Sequence, residues 1–188
     1  NQQPVLQDLE QALNRQLRIA NDADCFTLSE AVDGAGFGAN IVFGVIIGTG
    51  VGGGVVVRQQ LLAGPNAIAG EWGHNPMPWL DQNEVSIDCY CGQRACIETF
   101  LSGAGLERAY ATLSGKALSC PEIVTLAENK DVIAEQALSL YELFLARALA
   151  QIINVLDPDV IVLGGGISNV DRLYKNVHKL WSPFVFSE

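Results

Sequence analysis

The sequence has 188 residues, 49% hydrophobic and 17% charged, which excludes a disordered chain and sets a prior of one full domain or two incomplete ones. A chain of this length buries about 70% of its unfolded surface, so it needs no staples to fold. Its 11 Lys and Arg against 21 Asp and Glu give a formal charge of −10 with no basic segment, which argues against contact with nucleic acid or an anionic membrane surface through this chain.

From the N-terminus, Val5, Leu6, Leu9, Ala12 and Leu13 fall at helical spacing within 5–14, and Leu17 to Ala20 reads as a short strand. Asn21 or Asp22 is placed to cap a helix over 23–32. Gly34 to Val57 carries no charge over 24 positions, but nine of these are glycine, which suits turns better than a membrane span. Ile41 to Gly48 is expected as a buried strand, Gly48 to Gly54 as its turn and Val55 to Gln59 as the returning strand. Residues 63–85 read as loop, with Trp72 and Trp79 as an aromatic patch. Helices are expected over 99–113, 121–129 and 132–156, the last apolar nearly all round in its second half and therefore buried. Asp159 to Leu163 reads as an apolar strand running into Gly164-Gly165-Gly166, and 169–180 as a final helix. Strands alternating with helices give an α/β class. His178 falls on that final helix between Lys175 and Lys179 and reads as a surface residue.

No charged, apolar and small-residue leader opens the sequence, so the cytoplasm is the expected compartment. Five cysteines is an odd number, and Cys89, Cys91 and Cys96 fall within eight residues, a spacing that a metal explains better than disulfides. With His74 upstream they supply the four soft or borderline ligands of a closed, structural zinc site; the alternative is a set of small buried apolar side chains. The turn Gly48-Thr49-Gly50-Val51-Gly52-Gly53-Gly54 can bring backbone N–H groups to a phosphate, or can serve conformation alone. Gly164-Gly165-Gly166 stands at the carboxyl end of a strand, where open α/β sheets bind ligands, or forms a plain tight turn. Asn21-Asp22 offers a carboxylate at a strand-to-helix junction, suited to general-base work and equally to capping. Glu71 and Glu98 stand beside the cysteine cluster as acids that are solvated or surround the metal.

Together these segments resemble the ROK family, whose kinase members phosphorylate hexoses with ATP. Asn21-Asp22-Ala23 resembles its active-site segment, Gly48-Thr49-Gly50 its second phosphate loop, Glu71-Trp72-Gly73-His74 its E-x-G-H element, and Cys89 to Glu98 its C-x-C-G-x-x-G-C-x-E signature. Asp159 to Gly166 is similar to the strand and glycine loop at its adenosine site. The resemblance implies a two-lobed actin-like ATPase (ribonuclease H-like) fold, with 1–32 a remnant of the smaller lobe and hinge, and 33–188 the larger lobe carrying an inserted zinc-binding loop at 71–98. It implies Asp22 as general base, sugar contacts from Asn21, Asp22, Glu71, His74 and Glu98, and zinc held by His74, Cys89, Cys91 and Cys96. ATP with Mg²⁺ would lie against Gly48, Thr49 and Gly50 and against Gly164, Gly165 and Gly166, and a homodimer is expected.

Two departures stand out. Ala95 replaces the signature's usual glycine, and the family's N-terminal D-x-G-G-T-K phosphate loop is not in the sequence, so this chain alone is not expected to turn over. The stretches Ala20 to Ala31, Glu71 to Trp79 and Val160 to Tyr174 look most like the bacterial fructokinase branch, which makes D-fructose, phosphorylated at its 6-hydroxyl, the first expectation. An N-acetylglucosamine kinase and a sugar-responsive transcriptional repressor of the same family are the alternatives.

Overall fold

A computed structural model describes residues 4–17, 19–81 and 87–186. Helices α1 (Val5–Leu13) and α2 (Asp22–Asp33) precede strands β1 (Ile41–Ile47), β2 (Val51–Val57) and β3 (Gln60–Leu61). After the long loop come α3 (Ile97–Leu101), α4 (Gly103–Ser114), α5 (Cys120–Glu128) and α6 (Val132–Leu156), then β4 (Val160–Gly164) and α7 (Arg172–Leu180). The sheet runs β3-β2-β1-β4, with β1 antiparallel to β2 and parallel to β4.

The sheet is sandwiched. On one face lies α2, whose Thr27 is fully buried and donates from Oγ to the Ala23 carbonyl at 2.7 Å. This packing is why the central strands carry glycine: a Cβ on Gly44 would lie 2.0 Å, and one on Gly54 2.5 Å, from Thr27 Oγ. On the other face Phe43, Val45 and Ile47 join a continuous core with Leu101, Leu106, Leu138, Tyr141 and Leu145. Helix α6 is long and apolar enough to cross a membrane by length and composition, yet its Ala134, Ala137, Leu138, Leu145 and Leu149 sit in that core. At about 25 cal/mol per Å² of apolar area, such a core supplies the main driving force for folding.

Four expectations need correction. The turn after β1 is short: Gly52, Gly53 and Gly54 belong to β2, paired with Ile46, Val45 and Gly44, where Gly54 leaves room for Thr27 of α2 and Gly53 for Trp72 and the Gly70 carbonyl. The helix expected over 99–113 is two helices that meet at Ser102, whose backbone is extended and whose side chain caps α4 by accepting from Gly105 N–H. The final helix begins at Arg172, preceded by a 3-10 turn over Gly166–Asn169. Leu17, Ile19 and Ala20 form no strand; residue 18 lies outside the described residues. His178 is exposed, its Nδ1 3.1 Å from the Tyr174 carbonyl, as expected of a surface residue.

A buried ion cluster ties α6 to α7. Glu142, 3% exposed, accepts from Arg172 Nε at 2.6 Å and from Asn176 Nδ2 at 3.0 Å, and Arg172 reaches Glu135 at 2.7 Å.

Candidate functional site

The carboxyl ends of β1 and β4 and the start of α2 converge on one cleft. Asn21 caps α2 with its Oδ1, accepting from the N–H groups of Ala23 and Asp24, and Asp22 follows as the first helical residue. Capping and chemistry are compatible here: Asn21 spends its oxygen on the helix and keeps its amide N–H groups to donate. The Asp22 carboxylate accepts from Ala23 N–H through one oxygen at 2.9 Å and reaches the same cleft.

The segment Glu71 to His74 is pinned across the end of β2. Trp72 is buried, packs edge-on against Phe43 with centroids 5.5 Å apart, and donates from Nε1 to the Gly52 carbonyl at 2.8 Å. Gly73 is required by close approach, since a Cβ there would lie 2.1 Å from the Val51 carbonyl oxygen. Glu98, in the first turn of α3, accepts from Val51 N–H at 2.9 Å, which fixes its carboxylate beside Gly50. The result is a cavity of about 480 Å³ lined by Asn21, Asp22, Glu71, His74 and Glu98, with the Gly48-Thr49-Gly50 turn on one side.

His74 also faces the cysteines. His74 Nδ1 and the sulfurs of Cys89, Cys91 and Cys96 all lie within 4.8 Å of one another. The separation of Cys89 Sγ from His74 Nδ1 is 3.6 Å, and that of Cys91 Sγ from Cys96 Sγ is 3.6 Å. A tetrahedral zinc with bonds of about 2.3 Å to sulfur and 2.0–2.1 Å to nitrogen requires ligand separations of about 3.6–3.8 Å. The residues therefore fit the metal. Burial pushes the Cys96 thiol up to about 12, whereas the Gln93 backbone N–H holds the Cys91 thiol below its ordinary value, so Cys91 is the readier thiolate of the two. The loop is shaped for this by Cys89 N–H donating to the Gln93 carbonyl at 2.8 Å, by a turn at Gly92 with φ +89°, and by Ala95 with φ +55°. The positive φ at Ala95 explains why glycine suits that position.

Gly48 and Thr49 are shared with a second, larger cavity of about 760 Å³, also lined by Gly103, Cys120, Val124, Gly166 and Asn169. Gly103 N–H donates to the Gly48 carbonyl at 2.7 Å, so the start of α4 holds the turn in place. Gly165, with φ +86°, can carry no Cβ because Ile47 O would stand 2.4 Å away, while Gly166 faces open space. The glycines divide between the cavities: Gly50 and Gly165 line the smaller, Gly166 the larger, and Gly164 lines neither because it packs against the Phe26 ring.

Sequence reasoning missed three lining residues. Tyr90 places its hydroxyl 3.0 Å from His74 Nε2, with the rings edge to face at 5.2 Å; its position between Cys89 and Cys91 was the available signal. Gly103 and Cys120, at the starts of α4 and α5, carried no local signal of a ligand cavity.

The ROK family model matches residues 1–188, the whole chain. The chain belongs to the ROK family. It is 43% identical over 185 residues to the N-acetyl-D-glucosamine kinase of Histophilus somni (strain 129Pt), covering 94% of this chain and 60% of that protein. The crystal structure of a ROK hexokinase from Thermus thermophilus superposes with a TM-score of 0.84 at 28% identity, over 96% of this chain and 60% of that one. A ROK family glucokinase from Streptomyces griseus, solved in complex with glucose and AMPPNP, has a TM-score of 0.84 at 24% identity, over 98% of this chain and 64% of that one. This ROK chain thus has the actin-like ATPase fold in part, and spans about 60% of the length of the curated relatives it matches.

Proposed function

We propose that the complete protein is an ATP-dependent hexose kinase acting on the 6-hydroxyl, with N-acetyl-D-glucosamine as its substrate. The observation that carries the reading is the pair of cavities joined at Gly48 and Thr49, one acid-lined and one suited to a nucleotide. Fructose, expected from the flanking residues, gives way to the amino sugar, because the curated relatives at 41–43% identity are N-acetyl-D-glucosamine kinases. The repressor reading gives way on the same ground, since the curated relatives at 41–43% identity are kinases. Residues 33–188 form the larger lobe and 1–32 a remnant of the smaller one.

Asp22 is the general base: its carboxylate takes the proton of the attacking hydroxyl as the oxygen bonds to phosphorus. Asn21, Glu71, His74 and Glu98 orient the sugar, the carboxylates accepting from its hydroxyls. The Gly48-Thr49-Gly50 turn offers backbone N–H groups and a hydroxyl to the transferring phosphate, and Gly166 with Asn169, on the wall of the larger cavity, would lie by the adenosine. ATP with Mg²⁺ supplies the phosphoryl group and neutralises its charge when bound. His74, Cys89, Cys91 and Cys96 would hold zinc, which would order the sugar wall without supplying transfer chemistry.

The test is ADP release by the complete protein with Asp22→Asn. The variant binds sugar without turnover; substantial residual turnover removes Asp22 from the role of base.

A further inference from the structure

The larger cavity has two ends that its neighbours mark. Gly48 and Thr49 are shared with the sugar cavity, whereas Val124, Glu128, Asn169 and Val170 are shared with a third cavity of about 450 Å³, which has no lining residue in common with the sugar cavity. Two runs of chain join these ends. Along α5, Cys120 sits at the glycine turn, its Sγ donating at 3.2 Å to the carbonyl of Gly103, whose own N–H holds Gly48. Glu128 closes the same helix, about 12 Å away at 1.5 Å per residue. After β4, Gly165 lines the sugar cavity, Gly166 the larger one, and Asn169 and Val170 its junction with the third. A nucleotide with its phosphates at Gly48 and Thr49 therefore carries its base toward Glu128, where the half-buried Val124 and Val170 suit a flat ring.

Glu128 is out of keeping with its place in the helix. It is the last residue of α5, whose last turn has no basic residue, and a helix C-terminus disfavours an anion. Among the described residues its carboxylate has no hydrogen-bond or ion-pair partner. Such a break with local preference is expected where a site is built. Glu107, the other carboxylate of the larger cavity, accepts from Cys120 N–H at 3.1 Å and belongs to the turn end. Arg172 and Lys175 line the third cavity and not the larger one, so Glu128 is the charged group at the junction. The base of ATP has a single donor on its edge, the 6-amino group, while its ring nitrogens only accept. We infer that Glu128 is a specificity-determining residue for the phosphoryl donor, its carboxylate accepting from the 6-amino group of adenine. This rests on the kinase reading of the joined cavities and deepens it.

Glu128→Ala in the complete protein tests it, since alanine favours the helix and removes only the acceptor. Calorimetry measures the Mg²⁺ complexes of ATP, of purine riboside triphosphate, which lacks the 6-amino group, and of 2′-deoxy-ATP, and steady-state kinetics follows the same three donors. The unmodified protein is expected to bind ATP about fivefold more tightly than purine riboside triphosphate, the effect of one hydrogen bond open to water, and Glu128→Ala to bind the two equally. The same change is expected in the ratio of KM values at similar kcat. A ratio of dissociation constants that is the same in both proteins overturns the role of Glu128, whether or not all three nucleotides weaken together. Lost discrimination against 2′-deoxy-ATP in place of purine riboside triphosphate also overturns it, by assigning Glu128 to the ribose. So does tighter binding of GTP than of ATP by the unmodified protein, because a guanine edge offers donors of its own. Failure to phosphorylate any sugar by a protein that binds ATP overturns the kinase reading instead, and the binding ratio still decides the case of Glu128. Failure to bind any of these nucleotides overturns both.

Discussion

Arg172 is the sharpest probe of how the larger cavity is held. Its Nε lies 2.6 Å from Glu142 Oε1 and its Nη1 2.7 Å from Glu135 Oε2, with side-chain exposures of 24% for Arg172, 4% for Glu142 and 44% for Glu135. Removing the guanidinium by Arg172→Met leaves Glu135 in water but strands Glu142 with only the Asn176 amide at 3.0 Å. Breaking a buried pair costs about 3–5 kcal/mol, and because Arg172 is partly exposed the lower end applies, about 3 kcal/mol. For a chain of this size that corresponds to a fall in Tm of about 6–12 °C. The companion Glu142→Met removes the stranded charge, so the double variant should return to within about 1 kcal/mol of the parent. Urea unfolding followed by far-UV circular dichroism measures all three. A single variant that loses less than about 1 kcal/mol, or a double variant no better than Arg172→Met alone, refutes the assignment of a buried ion pair. The functional link is direct: Tyr174, two residues on, donates from its hydroxyl to the Ser168 carbonyl at 2.8 Å, steadying the turn that carries Asn169 into the larger cavity.

Chelation of zinc, or Cys91→Ser, should lower the melting temperature and the affinity for sugar together, because His74 serves both the metal cluster and the cavity; thermal melts and sugar titrations in parallel would show otherwise. Gly73→Ala should do the same without touching a ligand atom, since its Cβ would meet the Val51 carbonyl at 2.1 Å, and retention of wild-type sugar binding would contradict that packing. Ala95→Gly should stabilise the protein by up to about 1 kcal/mol by relieving a side chain at φ +55°, as read by urea unfolding. Burial pushes the Cys120 thiol up to about 11, so the proton it holds in the folded state adds stability below pH 9 that is lost as pH rises toward 11. Its alkylation, followed by mass spectrometry, should accordingly be slow at pH 8, speed up toward pH 11, and slow again when ATP is added.

The sequence was most readable where chemistry and spacing coincide. The Cys89-x-Cys91 and Cys96 spacing with His74 announces a four-ligand set, and the chain brings those atoms within 4.8 Å of one another, with two of the separations at 3.6 Å. The apolar run of α6 is legible from end to end because its length and capping by Asp131 leave no competing period. What could not be read is set by packing at a distance. Gly52 to Gly54 look like a turn in isolation and form strand because distant residues need their missing Cβ atoms, Thr27 of α2 at Gly54 and Trp72 with the Gly70 carbonyl at Gly53. Ser102 splits one apparent helix into two because its side chain caps the second, leaving Gly103 N–H to bond Gly48. The same bond delivers Gly103 to the larger cavity, a placement that no local pattern encodes. Tyr90 was hidden by its own neighbours, two cysteines that drew attention as ligands while the residue between them faced the cavity.

The most direct measurement is ADP release by the complete gene product with ATP and Mg²⁺, offered N-acetylglucosamine, fructose, mannose and glucose side by side. Turnover with N-acetylglucosamine preferred, abolished by Asp22→Asn, is the result the joined cavities predict. No turnover on any of the four sugars, by a protein that still holds zinc and binds sugar, would contradict the kinase reading.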